Sequence, residues 1–234
     1  MINNKKILAI ITARGGSKGV KGKNIKSLNG IPLIGYSINA CKGSKYIDKV
    51  ILSSDDKEII KVAEEAGVSV PFVRPSELAT DTATSVSVIK HAAGFMESNG
   101  ESYDYIITIQ PTSPFRTSNH LDGAIEAIAN DANADSLVSI TEVDYNPYWM
   151  KVVKGGYIES FMEVDEKKFT RRQDLPKVYK MNGSIFISKR DLIMEGEKIL
   201  GEKVVPFFMS SNDSVDIDNE EDFALAEFLM RKEI

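Results

Sequence analysis

The sequence predicts an α/β fold, a mostly parallel β-sheet flanked on both faces by helices. Three observations carry this. Short apolar runs of strand length alternate with amphipathic stretches of helical period over most of the chain. The runs end in turns bearing glycine or proline. The 234 residues, 42% hydrophobic and 27% charged, suffice for one sizeable core, and no Gly/Ser-rich linker divides them.

In chain order, Ile7–Ala13 reads as a buried strand and Leu33–Cys41 as a helix opened by Pro32. Val50–Ser53 is a short strand, followed by Asp55-Asp56. Ile59, Ile60, Val62, Ala63 and Ala66 then mark a helix that stops at Gly67. Val68–Val73 is expected as a strand, Thr82–Met96 as a helix, Tyr105–Gln110 as a strand and Asn119–Ala129 as a helix. Ser136–Glu142 is the next strand. The rhythm breaks over about 144–181, where Lys151–Lys154 and Tyr157–Phe161 flank Gly155-Gly156 as a hairpin. This segment is expected to be an insertion in a single domain spanning 1–234, with Trp149 and its tyrosine neighbours serving an interface. The rhythm resumes at Ser184–Ser188 and closes with a helix over Glu220–Lys232.

Net charge is −5, which disfavours general nucleic-acid binding. One cysteine, Cys41, excludes an internal disulfide, and His91 and His120 alone cannot build a zinc cluster. His91, within an apolar helical run, is expected to be packed rather than catalytic. The first apolar run is too short to span a bilayer and lacks a cleavage site, so no membrane role and a cytoplasmic location are expected.

Against that acidic background the stretch Ile10 to Asn24, IITARGGSKGVKGKN, stands out. Arg14, Lys18, Lys21 and Lys23 are interleaved with four glycines directly after a strand. Glycines admit close backbone approach and the cations match phosphate oxygens, so the loop reads as a polyphosphate cradle. It is neither a P-loop, since Asn24 follows Gly22-Lys23, nor a dinucleotide fingerprint. Local positive charge on an acidic protein suits a small anionic ligand.

Three further constellations follow. In Ser214-Val215-Asp216-Ile217-Asp218, strand alternation turns both carboxylates to one side. They fit magnesium, which takes one or two carboxylates plus phosphates; alternatively Asp218 caps the last helix. Pro75 forces Arg74 out of helical conformation, so its planar fork projects from a strand end, with Glu77 as a candidate partner. Thr82, Thr84 and Ser85 then supply caps or ligand donors. Gln110-Pro111-Thr112-Ser113-Pro114-Phe115-Arg116 is a rigid turn that is expected to hold Gln110 and Arg116 at the working edge of the sheet and to present an amide to a hydroxylated or acylamino ligand.

Taken in order, IITARGGSKGVKGKN, RPSELATDTATS, QPTSPFRT, RRQDLPKVYKMNGSIFI and SVDIDNEED resemble the acylneuraminate cytidylyltransferases, the CMP-sialic acid synthetases, over nearly the whole chain. The resemblance implies a Rossmann-like nucleotidyltransferase fold and a homodimer in which the insertion helps close the partner's active site. It implies that CTP and a nonulosonic acid, N-acetylneuraminic acid or a relative such as legionaminic or pseudaminic acid, give the CMP-sugar and pyrophosphate with Mg2+. It assigns Arg14, Lys18, Lys23, Asn24, Arg74 and Ser85 to the nucleotide. Gln110, Phe207 and Phe208 fall to the sugar, Arg172 and Gln173 to the segment donated to the neighbouring subunit, and Asp216 and Asp218 to the metal. Arg14, Lys23, Asp216 and Asp218 are the expected catalytic set. Thr12 stands where many relatives have proline, which alters strand-end stiffness rather than charge. The rivals are a synthetase for an eight-carbon keto-deoxy acid, whose first loop reads differently, and a catalytically silent nucleotide- or sugar-binding module.

Overall fold

The computed structural model describes residues 1–17, 19–163 and 168–232. Ten strands and six helices follow one another as β1 (Ile7–Thr12), β2 (Ser27–Leu28), β3 (Ile31–Pro32), α1 (Leu33–Gly43), β4 (Lys49–Ser53), α2 (Lys57–Glu65), α3 (Ser85–Ser98), β5 (Tyr105–Ile109), α4 (Ser118–Ala129), β6 (Ser136–Glu142), β7 (Lys151–Lys154), β8 (Tyr157–Ser160), β9 (Tyr179–Lys189), α5 (Arg190–Met194), β10 (Val204–Phe208) and α6 (Glu220–Lys232). The central sheet has six strands in the order β10-β6-β9-β5-β1-β4. All neighbours pair in parallel except β9, which runs antiparallel between β5 and β6.

Strand alternation divides the core. Ile7, Ala9 and Ile11 of β1 face α1, α2 and α4, while Leu8 and Ile10 face α3 and α5. A third cluster joins Leu28, Leu33, Phe223 and Ala226 around Ile217, which fastens α6 to the first turn of α1. Ile217 is wholly buried there, so its neighbours Asp216 and Asp218 turn outward.

Some expectations change. Val68–Val73 is not a strand but a single bridge from Ser69 to Ile51 at the sheet edge. Pro71 lacks the N–H that would continue the ladder. The third helix starts at Ser85, not Thr82, because the Thr84 side chain caps it by accepting from Ser87 N. The strand expected at Ser184–Ser188 extends back to Tyr179 through an irregularity near Gly183, at φ +73°. There Ser139 Oγ donates to Asn182 Oδ1 and accepts from Ile185 N, which re-satisfies the groups the break frees. Val204–Phe208, not read as a strand, is the parallel edge strand that tolerates Pro206. In the segment 144–181, β7 and β8 form a separate hairpin turned by Gly155 and Gly156, both with positive φ.

Candidate active site

Where β1, β4 and β5 end at their carboxyl edges, the chain leaves a cleft of about 420 Å³. Open parallel sheets place ligand crevices at this edge. Arg14, Lys23, Asn24, Arg74, Ser85, Gln110 and Asp218 all line it. They come from five separate stretches of sequence, from the first loop to the segment before the last helix.

The basic loop is held down at both ends. Arg14 pairs with Asp81 at 2.8 Å, and its backbone oxygen accepts from Asn24 Nδ2 at 3.0 Å. At the far end Lys23 Nζ donates to Ile217 O at 2.7 Å and lies 3.4 Å from Asp218 Oδ1. Gly19 packs so closely on the Asp218 carbonyl that a Cβ there would overlap it. Lys18 lies outside the described residues.

Arg74 is buried at the cleft wall, with Nε donating to Ser53 Oγ and Nη2 to Ser53 O. Its ion-pair partner is not Glu77, whose carboxylate instead accepts from Ser76. Burial lowers the Arg74 pKa, Asp55 raises it and Arg14 lowers it again. Two guanidinium groups thus repel across the cleft, a charge state that an anionic ligand relieves. Ser85 is the first residue of α3, so that helix directs its positive end at the same space.

The turn after β5 is welded to the acidic segment. Ile217 N donates to Thr112 O at 2.9 Å, and the neighbouring Thr112 side chain lowers the Asp216 pKa. Arg116, expected at the edge of the site, is instead buried. It donates to Ser184 O, Ser37 Oγ and Gln110 O, which ties the Gln110 turn to β9 and α1. Gln110 Oε1 and Asp216 Oδ2 both approach Gly183 from the same side.

Asp216 opens on an adjoining hollow shared with Lys180, Asn182, Gly183 and Asp222. Its pKa is raised by the protein packed around it and by Asp218 and Asp222, against the lowering influence of Thr112 and Lys23. Asp218 does not cap α6. The Asn219 side chain accepts from Asp222 N, and Asp222 accepts from Asp218 N and Asn219 N, a reciprocal cap that leaves the Asp218 carboxylate to the cleft. Among the described residues no three His, Cys, Asp or Glu side chains gather as a metal site. Asp216 and Asp218 are the carboxylates at this edge that could hold a metal, and magnesium takes one or two carboxylates plus phosphates and water.

Four expected residues stand elsewhere in this chain. Arg172 and Gln173 line a separate groove with Asn146, Trp149 and Lys177. Phe207, half-buried, packs on Gly123 of α4 against the core, and Phe208, 60% exposed, meets Tyr179 edge-on at 5.1 Å. Sequence reasoning placed Asp55 at the carboxyl end of the sheet without a partner for it, and missed Ser53, which anchors Arg74, and the tie from Thr112 to Ile217. Ser53 ends β4 with no glycine or lysine signal to mark it.

The chain is similar to known proteins. A family model described as cytidylyltransferase matches residues 8–233. The chain is 36% identical to the post-translational flagellin modification protein B of Campylobacter coli, over 97% of this chain and 95% of that protein. It is 33% identical to the CMP-N,N'-diacetyllegionaminic acid synthase of Legionella pneumophila, over 96% of both. Identity to the N-acylneuraminate cytidylyltransferase of Escherichia coli is 34%, over 97% of this chain and 52% of that longer protein. Among solved structures, a CMP:2-keto-3-deoxy-manno-octonic acid synthetase complexed with CTP superposes with a TM-score of 0.73 at 15% identity, over 98% of this chain and 100% of that one, a likeness of fold.

Proposed function

The chain belongs to the cytidylyltransferase family, and from that premise we propose that it transfers CMP from CTP to a nonulosonic acid, with release of pyrophosphate. The observation that carries this reading is the meeting of the basic loop and the acidic segment in one cleft, through Lys23, Ile217 and Asp218. A silent binding module has no need for a cationic cradle facing Asp218 in one ligand-sized space with Asp216 opening on the hollow beside it.

In this reading the anomeric hydroxyl oxygen of the sugar attacks the α-phosphorus of CTP. The bond from that phosphorus to the bridging oxygen breaks, pyrophosphate departs with the electron pair, and the hydroxyl proton is given up to solvent. Charge grows on the leaving oxygens, so fixed cations aimed there lower the barrier. Lys23 and Arg14 neutralise the triphosphate, Arg74 and the N-terminus of α3 hold the nucleotide, and Gln110 presents its amide to the sugar. Asp216 and Asp218 would hold magnesium, which supplies charge neutralisation at phosphate oxygens. Their donor set supports that assignment.

The relatives' names divide between sialic, legionaminic and pseudaminic acids, all nonulosonic. Homodimerisation is part of the proposal. Arg172 and Gln173 open away from this chain's own cleft, and Tyr157, Ile158 and Phe161 are exposed beside them in sequence, as a surface covered by a second copy requires. Among the described residues no helix is long and apolar enough to cross a membrane. The cytoplasm, where CTP is made, is the location this reading implies.

The test is pyrophosphate release from CTP and magnesium with a panel of N-acetylneuraminate, N,N'-diacetyllegionaminate, pseudaminate and the eight-carbon keto-deoxy acid. Release with a nine-carbon acid is expected. Release with the eight-carbon acid alone, or with none, rejects the proposal.

A further inference from the structure

The segment Ser53-Ser54-Asp55-Asp56, at the end of β4, stands behind the cleft in contact with Arg74 and with Gly15 of the basic loop, yet no part of the reaction described above uses it. Each of its residues braces a neighbour. Ser53 holds the Arg74 guanidinium and Ser54 O accepts from Arg74 N. Asp56 caps α2 by accepting from Glu58 N and Ile59 N, and its side chain fills the space where Gly15 would carry a Cβ. Asp55 Oδ1 accepts from Gly15 N at 3.1 Å.

That last bond falls on a peptide group already held from its other edge. The carbonyl of Arg14 accepts from the buried Asn24 side chain, and the N–H of Gly15 belongs to the same planar unit. In a trans peptide the two groups point in opposite directions, so two side chains from different loops grip one plane from both sides. The basic loop departs from this plane, and the Arg14 side chain leaves from its first residue. Loss of either grip frees the dihedrals that aim the cradle, and the nucleotide must then order them on binding.

We propose that Asp55 is a positioning residue for the nucleotide, which it serves by fixing the Arg14–Gly15 peptide against Asn24 so that the basic loop is aimed before CTP arrives. The inference rests on the CTP reading above. The carboxylate also lies where it offsets the mutual repulsion of Arg14 and Arg74, so its charge and its acceptor oxygen are separable contributions.

Isothermal titration of the full chain with CTP, paired with steady-state kinetics, separates them. Asp55→Ala is expected to weaken CTP binding about tenfold, with KM for the sugar shifting less than about twofold. Asp55→Asn keeps the acceptor oxygen and is expected to bind CTP within about threefold of the unmodified chain or more tightly. Equal CTP affinity in Asp55→Ala and the unmodified chain overturns the inference. So does a parallel rise in both KM values, or an Asp55→Asn variant as impaired as Asp55→Ala. If Asp55→Ala fails to fold, Asp55→Asn decides alone, and a loss of about tenfold or more in its CTP affinity overturns the inference. An unmodified chain that binds no CTP overturns the nucleotide reading and this inference together, whereas CTP binding indifferent to Asp55 overturns this inference alone.

Discussion

Lys23 and Asp218, 195 residues apart, stand with Nζ and Oδ1 3.4 Å from each other at the mouth of one cleft. The lysine is mostly covered and also donates to the Ile217 carbonyl, whereas the aspartate carboxylate is largely open. The pair closes the basic loop onto the acidic segment and leaves both charges within reach of the same triphosphate.

Lys23→Ala should lower kcat for pyrophosphate release on the order of 10²–10³-fold, the scale of losing one fixed cation from a transition state. The melting temperature should move by only a few degrees, since the side chain is at the cleft and not in a core cluster. Unchanged turnover removes Lys23 from the mechanism.

Asp218→Asn should raise the magnesium concentration needed for half-maximal activity, on the order of 10–100-fold. The last helix should keep its stability, because Asn219 and Asp222 cap it. A magnesium titration that matches the unmodified chain sinks the metal assignment.

Asp216 carries a carboxyl whose pKa in the fold exceeds the 3.8 of an unperturbed aspartate, first through desolvation and then through Asp218 and Asp222. Folding therefore takes up a proton between those two values. The resulting stability is complete below pH 3.8 and is lost as pH rises through the raised value. Without ligand at pH 7, Asp216→Asn should melt at or above the temperature of the unmodified chain, and that advantage should disappear in acid. Its pyrophosphate release should fall. A lower melting point at neutral pH contradicts the electrostatic account.

Gly19→Ala places a methyl group on the Asp218 carbonyl. The overlap should cost about 1–3 kcal/mol, relieved by displacing the loop from the acidic segment. Titration with CTP should show weakened binding while circular dichroism is preserved. Affinity equal to that of the unmodified chain means that the loop does not rely on this contact.

Arg116→Ala should destabilise the chain by roughly 3–5 kcal/mol, measured by urea unfolding. The variant leaves the Ser184 and Gln110 carbonyls and the Ser37 hydroxyl without their donor. Burial already lowers the Arg116 pKa to about 10, yet the group remains charged at neutral pH. A loss below about 1 kcal/mol means that the guanidinium does not hold the turn.

Much of the frame was legible because local rules decide it. The apolar run at Ile7–Thr12, the Gly67 stop and the paired glycines of the hairpin act through near neighbours. The strand expected after Gly67 reduces to a single bridge because Pro71 removes a ladder donor at the edge. The antiparallel insertion of β9 was not legible, since strand direction leaves no mark on a five-residue apolar run. Arg116 looked like a site residue because a charged side chain after two prolines is usually exposed. Only its burial against Ser37 and Ser184 shows it to be a brace.

The sequence by itself determined the inventory: a glycine-rich cationic loop, two carboxylates at strand spacing, a proline-fixed arginine and a proline-braced glutamine. Those are properties of residues a few positions apart, and steric and hydrogen-bonding rules act at that range. The tertiary structure alone decided that the loop, the arginine, the glutamine and Asp218 share one cleft with Asp216 on the hollow beside it, that Asn219 rather than Asp218 caps the last helix, and that Asp55 grips the peptide from which the loop springs. Such relations join residues far apart in the chain, and they arise only when burial of Ile217 and of the two faces of β1 has fixed where each loop must emerge.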